Sequence, residues 1–324
     1  MSVTQSVKRP LVVLTGPTAV GKTKLSIALA KAIGGEILSA DSMQVYKHMD
    51  IGSAKIRPEE MQGVPHHLID IMEPWEEFNV VVFQKRCLEC MEQIYDRGHI
   101  PILVGGTGFY IQAVLRGIDF TENEENTEYR EKMEQLAKEK GPEVLHEMLA
   151  KVDPVSAENI HANNIKRTIR ALEYYELTGE PISAHNEREK ERTSPYNFSY
   201  FVLTDDREKL YDRIEVRIDE MLSEGLVEEV RSLEKMGCHR GMVSMQGLGY
   251  KEILEYLDGE CSLEEAVYTL KRDTRHFAKR QLTWFRRENA VTWLDKQQFD
   301  YDEEKILEYM IKELGEKGIY EKQQ

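Results

Sequence analysis

LVVLTGPTAVGKTKLSIALA, residues 11–30, decides the fold. An apolar strand runs into GPTAVGKT (residues 16–23), and helical periodicity begins at Lys22. Strand, GxxxxGK[ST] loop and helix, in that order, are what a phosphate-binding loop requires. Its glycines let backbone N–H groups face an anion, the helix N-terminus adds partial positive charge, Lys22 adds a full one, and Thr23 is placed to hold Mg²⁺. The candidate diphosphate-binding residues are therefore Gly16, Pro17, Thr18, Ala19, Val20, Gly21, Lys22 and Thr23. Backbone contacts alone do not distinguish the terminal phosphates of ATP from any other diphosphate, so the discriminating residues lie elsewhere.

Outward from the loop, short apolar runs alternate with helical stretches. GEILSAD, HHLIDI and IPILVGGTG read as strands and Val80–Arg97 as a helix, which points to an α/β P-loop core: a parallel sheet flanked by helices. From about Gly117 the texture changes to helical periods interrupted at Gly141-Pro142, Asp153-Pro154 and Gly179 to Pro181. NFSYFVLT then reads as a strand returning to the sheet, and the remainder as mostly helical. The expected organisation is a first core segment over 1–116, an all-helical insertion over 117–196, and a return strand with C-terminal helices over 197–324.

The chain has 324 residues, 41% of them hydrophobic, enough for a sizeable core. It has no apolar run of about eighteen residues and no leader-like N-terminus, so a cytoplasmic protein without membrane attachment is expected. Four cysteines are too few for a disulfide scaffold, and the Cys87–Cys90 pair lies within one helical period with no further metal ligands near it in sequence. His66 and His67 are adjacent on a strand, point to opposite faces, and read as structural.

A formal charge of −15 argues against nucleic acid only if the cations are dispersed, and they are not. In NNIKRTIRALEYYEL, Lys166, Arg167 and Arg170 sit on a helix with apolar Ile165, Ile169 and Leu172, and Arg167, Arg170 and Tyr174 are expected together on another face. Ser262 and Glu265 form a capping box that opens a long helix. Between Lys271 and Arg287 that helix carries seven Lys or Arg against one acid, interleaved with His276, Phe277, Trp284 and Phe285. Cations for phosphates and aromatic faces for unstacked bases suit a single-stranded RNA loop; a solvated helix paired with this chain's many acids is the alternative.

Asp41 ends the strand after the loop helix, at the sheet edge where open α/β proteins place their chemistry. It is the candidate reactive carboxylate, with a turn cap beside Ser42 as its other role. The apolar strand IPILV ends in Gly105-Gly106-Thr107 rather than in an acid that would help hold a metal, and HLID, ending at Asp70, is a weaker candidate for such an acid.

These residues together resemble the tRNA dimethylallyltransferases, also called tRNA isopentenyltransferases. The likeness runs in order through GPTAVGKT, SADSMQVYKHMDIGSAK, PHHLIDI, PILVGGTGFY, DPVSAENIHANNIKRTIRALE, RIEVRIDEML, GLGYKEI and AKRQLTWFRR, covers nearly the whole chain, and fits the bacterial form, since no C-terminal zinc-finger residues are present. The resemblance implies transfer of a dimethylallyl group from dimethylallyl diphosphate to the N6 amine of the adenosine 3′ to certain tRNA anticodons, with diphosphate released and Mg²⁺ assisting. It implies Asp41 as base, Arg217 of RIEVR as a cation on the leaving group beside Lys22 and Thr23, and Thr107 near the reacting groups. It further implies tRNA contacts from Asp41, Ser42, Met43 and Gln44, from Arg130, and from Gly247, Gly249 and Lys251. Arg275, Lys279, Arg280, Gln281 and Arg286 of the basic helix complete the implied tRNA surface, and a monomer is expected. For Arg217 and Arg130 an ordinary ion pair is the competing role. A nucleotide kinase, an adenylate isopentenyltransferase acting on a free nucleotide, and a non-catalytic RNA-binding switch are the rival readings; the first two leave the long basic helix without a use, and the third is separated by Asp41→Ala, to which a binding module would be indifferent.

Overall fold

The computed structural model describes residues 8–120 and 127–321. A six-stranded, wholly parallel sheet runs in the order β3-β2-β4-β1-β5-β6. The central strand β1 (Arg9–Thr15) has Leu11, Val12, Val13 and Leu14 fully buried, the continuous apolar pattern of a strand covered on both faces. Helix α1 (Lys22–Ile33) leads into β2 (Gly35–Ala40), every residue of which is buried. β3 (His66–His67), α2 (Val80–Asp96), β4 (Ile100–Gly105) and α3 (Gly108–Arg116) follow.

HHLIDI is therefore a strand only at its two histidines. Leu68 and Asp70 take left-handed backbone angles that end the extended run. Both histidines have structural partners: His66 Nδ1 lies 2.8 Å from the Val64 carbonyl, and His67 Nε2 lies 2.6 Å from Glu36.

β5 (Tyr196–Thr204) pairs with β1 along its length, bringing the chain back beside the loop strand. The helices α9 (Arg207–Glu224), α10 (Leu226–Lys235), α11 (Tyr250–Leu257) and α12 (Leu263–Phe285) come next. The expected capping box is present in α12: Glu265 N donates to Ser262 Oγ, and Ser262 N to Glu265 Oε2. A short edge strand not evident in the sequence, β6 (Thr292–Asp295), then pairs with the end of β5 before α13 (Glu303–Glu316). Because every strand is parallel, Thr15, Ala40, Gly105, Thr204 and Asp295 finish at one edge.

Residues 116–194 form a second compact unit. Its described helices are α4 (Thr127–Lys140), α5 (Pro142–Val152), α6 (Pro154–Asn159), α7 (Ile165–Thr178) and α8 (Ile182–Glu191). Breaks fall at the Gly and Pro pairs because proline at a first helical position needs no donor and Gly179 closes α7 with φ 71°. A separate core of Met133, Leu145, Leu149, Ile169 and Leu172 holds the unit together. Asp153 caps α6 through Ser156 N (2.9 Å) and also accepts from Ser183 N (3.0 Å), joining α6 to the start of α8. Tyr174 is buried, packed 5.2 Å from the His185 ring, and so does not share an exposed face with Arg167 and Arg170 as the helical spacing suggested.

Candidate active site

The loop between β1 and α1 has the geometry of an anion cradle. Gly16 (φ 151°) lies so close to β5 that a Cβ there would sit 2.3 Å from the Leu203 carbonyl oxygen. Gly21 (φ 99°) occupies the N-cap of α1 and no side chain caps that helix, so its first N–H groups remain open to a ligand. Ala19 is left-handed at φ 61°, and its carbonyl accepts from Arg213 Nε at 3.0 Å. Lys22 Nζ donates to the Gly16 and Pro17 carbonyls at 3.0 and 2.8 Å, so its ammonium is parked on the loop's own backbone. Burial, partly offset by Asp41 and reinforced by Arg217, lowers Lys22 to about 8. The Thr23 hydroxyl is exposed and has no partner among the described residues.

Asp41 follows β2 directly. Its Oδ1 accepts from Met43 N at 2.8 Å and Gln44 N at 3.4 Å, making the turn cap anticipated as its other role, while Oδ2 has no partner among the described residues. Cap and reactive carboxylate are thus compatible: one oxygen orients the group and the other is left over. Half-buried Arg217 on α9 forms no ion pair among the described residues. Burial lowers its pKa, and Asp41, then Glu220 and Glu60, oppose that. Asp219, two residues on in sequence, is held instead by Lys271 at 2.6 Å. Lys22, Asp41 and Arg217 therefore lie within electrostatic reach of one another, two cations facing one half-free carboxylate.

Gly105 packs against the end of β2, where a Cβ would meet the Ala40 carbonyl oxygen at 2.2 Å. Thr107 N then donates to that carbonyl at 3.2 Å, which places Thr107 beside Asp41 in the backbone. Gln44 is partly engaged, its amide accepting from Ser39 Oγ at 3.1 Å and donating to the Ala54 carbonyl at 3.3 Å. The loop after Asp41 is braced by Glu229 of α10, which accepts from Asp50, Ile51 and Gly52 N–H groups at 2.9, 2.8 and 3.1 Å and from Tyr250 Oη at 2.8 Å. Asp70 is tied to Lys55 and takes no place in the loop's cation shell.

Several residues expected to face RNA are committed internally. Gln281 is buried: its Oε1 accepts from Thr18 N at 2.9 Å and its Nε2 donates to the Gly106 carbonyl at 3.0 Å, bracketing the phosphate loop to the end of β4. The helical spacing that puts Arg275, Lys279 and Arg286 outward puts Gln281 inward. Lys251 pairs with buried Glu252 (3.2 Å) and with Asp273 (3.5 Å), and Gly247 packs so tightly on Met43 that a Cβ would meet its Cε at 2.4 Å. Gly249 (φ 92°) starts α11 and donates to Glu252 Oε2 at 2.8 Å. Arg275 pairs with Glu215, and Arg272 with Asp273 at 2.9 Å. In the helical unit, Arg130 and Arg170 both grip buried Glu173, at 2.8 and 2.9 Å, whereas Lys166 and Arg167 are exposed. What remains outward on α12 is its last part: Lys279, Arg280 over the Phe277 ring (5.8 Å), Arg286 and Arg287. His276, Lys279, Arg280, Thr283, Trp284 and Arg287 line a depression of about 440 Å³. Trp284 lies against Gly108, and its Nε1 is buried with no hydrogen-bond partner among the described residues.

Two family models match this chain. The one described as IPP transferase spans residues 44–288 and the one described as isopentenyl transferase spans residues 10–72. This chain belongs to the IPP transferase family. Among curated relatives, the tRNA dimethylallyltransferase of Lachnoclostridium phytofermentans is 64% identical, with 96% of this chain and 99% of the relative covered. That of Carboxydothermus hydrogenoformans is 53% identical over 94% and 97%. Among solved structures, the full-length tRNA isopentenylpyrophosphate transferase of Bacillus halodurans superposes with a TM-score of 0.72 at 47% identity, covering 96% of this chain and 98% of its own. A eukaryotic dimethylallyltransferase described as acting on tRNA gives 0.74 at 31% identity, covering 89% and 74%. The chain is thus a transferase with the family's parallel α/β core.

Sequence reading missed Arg213, Glu229 and Lys296 at this edge. Arg213 shares the RIEVR segment with Arg217 and could have been found there; the other two lie in stretches without a local pattern.

Proposed function

We propose that this IPP transferase moves a dimethylallyl group from dimethylallyl diphosphate to the N6 amine of the adenosine 3′-adjacent to the anticodon of certain tRNAs, releasing diphosphate. The observation that carries it is Asp41: one oxygen is fixed by the turn, and the other is unpartnered beside two cations that lack acidic partners. Family membership along most of the chain supports the choice of reaction.

The loop's open N–H groups and Lys22 bind the diphosphate, with Lys22 exchanging the Gly16 and Pro17 carbonyls for phosphate oxygens. As the C1–O bond breaks, its electron pair leaves with the diphosphate. Lys22, Arg217 and the α1 N-terminus neutralise the charge that accumulates there. The adenine N6 forms the new bond to C1 and gives up a proton to Asp41 Oδ2, which compensates for the weak nucleophilicity of an amine conjugated with its ring.

Among the described residues no cluster of acids, histidines or cysteines forms a protein cage for a metal. The free Thr23 hydroxyl at the first turn of α1 does fit Mg²⁺, which is ordinarily held by few protein oxygens together with substrate phosphates and water. Bound there, the ion would supply further positive charge to the leaving group.

The adenosine has to leave its stack to reach Asp41. Lys279, Arg280 and Arg286 supply cations for the RNA backbone from the core, and Lys166 and Arg167 do so from the helical unit. Every group in this scheme comes from one chain, so a monomer suffices. A tRNA acceptor places the reaction in the cytoplasm, and no helix among the described residues is long and apolar enough to cross a membrane.

The test is mass spectrometry of unmodified tRNA after incubation with protein, Mg²⁺ and dimethylallyl diphosphate, with ATP or free AMP in parallel arms. Addition of one dimethylallyl group to tRNA alone supports the proposal. Brisk ATP turnover with tRNA unchanged in mass, or prenylation of AMP in preference to tRNA, overturns it.

A further inference from the structure

Lys296 stands out among the cations near the phosphate loop because no acid is left for it. It directly follows β6, whose last residue Asp295 is in register with Thr204 at the edge where the loop lies. Its ammonium reaches across to the N-cap of α1, so that a Cβ built on Gly21 would sit 2.9 Å from Nζ. Both acids in its surroundings are already engaged. Glu303 pairs with Lys24 at 2.7 Å, and fully buried Asp205 pairs with Arg213 at 2.6 Å. The Lys296 ammonium has no ion pair or hydrogen bond among the described residues, although the backbone carbonyl accepts from Tyr301 N.

The surroundings make this costly. A half-buried ammonium sits at the positive end of a helix, with Arg213 and Lys24 for neighbours, and burial first and then Arg213 pull its pKa down. Glu303 and Asp205 offset this only in part, because each holds a closer partner. Lys24, Arg213 and Lys296 are three cations at this end of the loop against those two acids. Such an arrangement is strained when empty and becomes favourable when a dianion arrives. Gly21 is where it must arrive, since the unfilled N–H groups of α1 begin there.

The inference rests on the loop holding a prenyl diphosphate, as proposed above. Asp41 and Arg217 lie on one side of the loop with the bond that breaks. Lys296 comes from the β6 side, by the outer face of Gly21. We propose that Lys296 closes this outer side onto the terminal, unesterified phosphate, as a further binding residue for the leaving diphosphate. A substitution at Gly21 would push Lys296 aside, which gives the glycine a second reason to be there besides its left-handed backbone.

Inorganic pyrophosphate is the probe, titrated calorimetrically at a fixed excess of Mg²⁺ into wild type, Lys296→Met and Lys296→Arg, with inorganic phosphate as the control ligand. Loss of one charge-assisted contact should weaken pyrophosphate binding by about tenfold or more in Lys296→Met, and Lys296→Arg should recover most of it. Binding of inorganic phosphate should change much less. The ligand-free melting temperature of Lys296→Met should stay level or rise, because a crowded cation has been removed. Wild-type affinity for pyrophosphate in Lys296→Met overturns the inference while leaving the reading of the loop intact. A lowered ligand-free melting temperature, with pyrophosphate binding not restored by arginine, also overturns it, since the residue is then a structural prop. Wild-type protein that ignores pyrophosphate sinks both.

Discussion

At Asp41 the two oxygens of one carboxylate have different duties, and that split defines the sharpest test of the chemistry. Asp41→Asn keeps an acceptor for the Met43 and Gln44 N–H groups but removes the basic oxygen. Product formation should fall by about 10²–10⁴, with tRNA affinity within about threefold of wild type, as read by single-turnover assays and filter binding. Lys22 gives a second test, through protons. Its pKa is lowered from 10.5 to about 8 in the ligand-free protein, and a bound diphosphate favours the charged form. Binding should therefore take up a proton at about pH 8.5 and none at about pH 6.5, and affinity should decline as pH rises past about 8. Calorimetry in two buffers of different ionisation enthalpy measures that uptake. The loop and Asp41 were legible in the sequence because each is a local pattern: a motif between strand and helix, and an acid at a strand end. Arg213 stands in RIEVR, but its contact with Ala19 spans 194 residues, and Lys296 reaches Gly21 from the other end of the chain, so no spacing rule shows what either one touches.

Among the elements, β2 and β3 are joined at their far end by charge. Buried Glu36 accepts a bidentate pair from Arg97 (2.8 and 2.7 Å) and lies 2.6 Å from both His67 and His99. Arg97, followed by the two histidines, holds the Glu36 carboxyl down at about 2 against burial, from an ordinary 4.5. A lowered folded-state value means that this contribution is complete above about pH 4.5 and disappears as pH falls toward 2. Urea unfolding should show Glu36→Gln destabilised by about 2–3 kcal/mol at neutral pH, with the gap to wild type narrowing as pH drops through that window. The helix α12 divides along its length. Its first cations are paired with acids and its last are not, so Lys279→Ala and Arg280→Ala should each flatten the salt dependence of tRNA binding by about one phosphate contact's worth of slope. Arg275→Ala should change it less, because Arg275 is held by Glu215. Composition, helical spacing and the Ser262–Glu265 capping box revealed a basic helix, but which cations were spoken for depended on acids of α9, fifty or more residues away in sequence. β6 escaped for a different reason: four residues, TWLD, are too few for a period to register.

For the whole molecule, a formal charge of −15 and an RNA substrate are reconciled by pairing. Much of the acid is consumed by internal cations such as Lys55, Arg213 and Lys251, and the cations that escape are concentrated on a few helix faces. The α/β class, the run of helices from Thr127 to Glu191 and the returning strand were all legible, since hydrophobic period and Gly-Pro punctuation are properties of short windows. The braces that make the core one body were not. Glu229 joins α10 to the backbone of residues 50–52, and Gly52 lies against the Tyr250 ring, where a Cβ would come within 2.6 Å. Gly52→Ala should therefore lower the melting temperature and slow turnover together, by prying that loop off α11.

The bracket made by Gln281 has one more implication. A stiff rod carries bare cations on its outer side, and on its inner side a single amide clasps both the donor cradle and the end of the neighbouring strand. On the proposed reading of both sites, a small roll of that rod under a polyanion would move Thr18 and Gly106 without an intermediary, and the two substrates would share a lever rather than merely a neighbourhood.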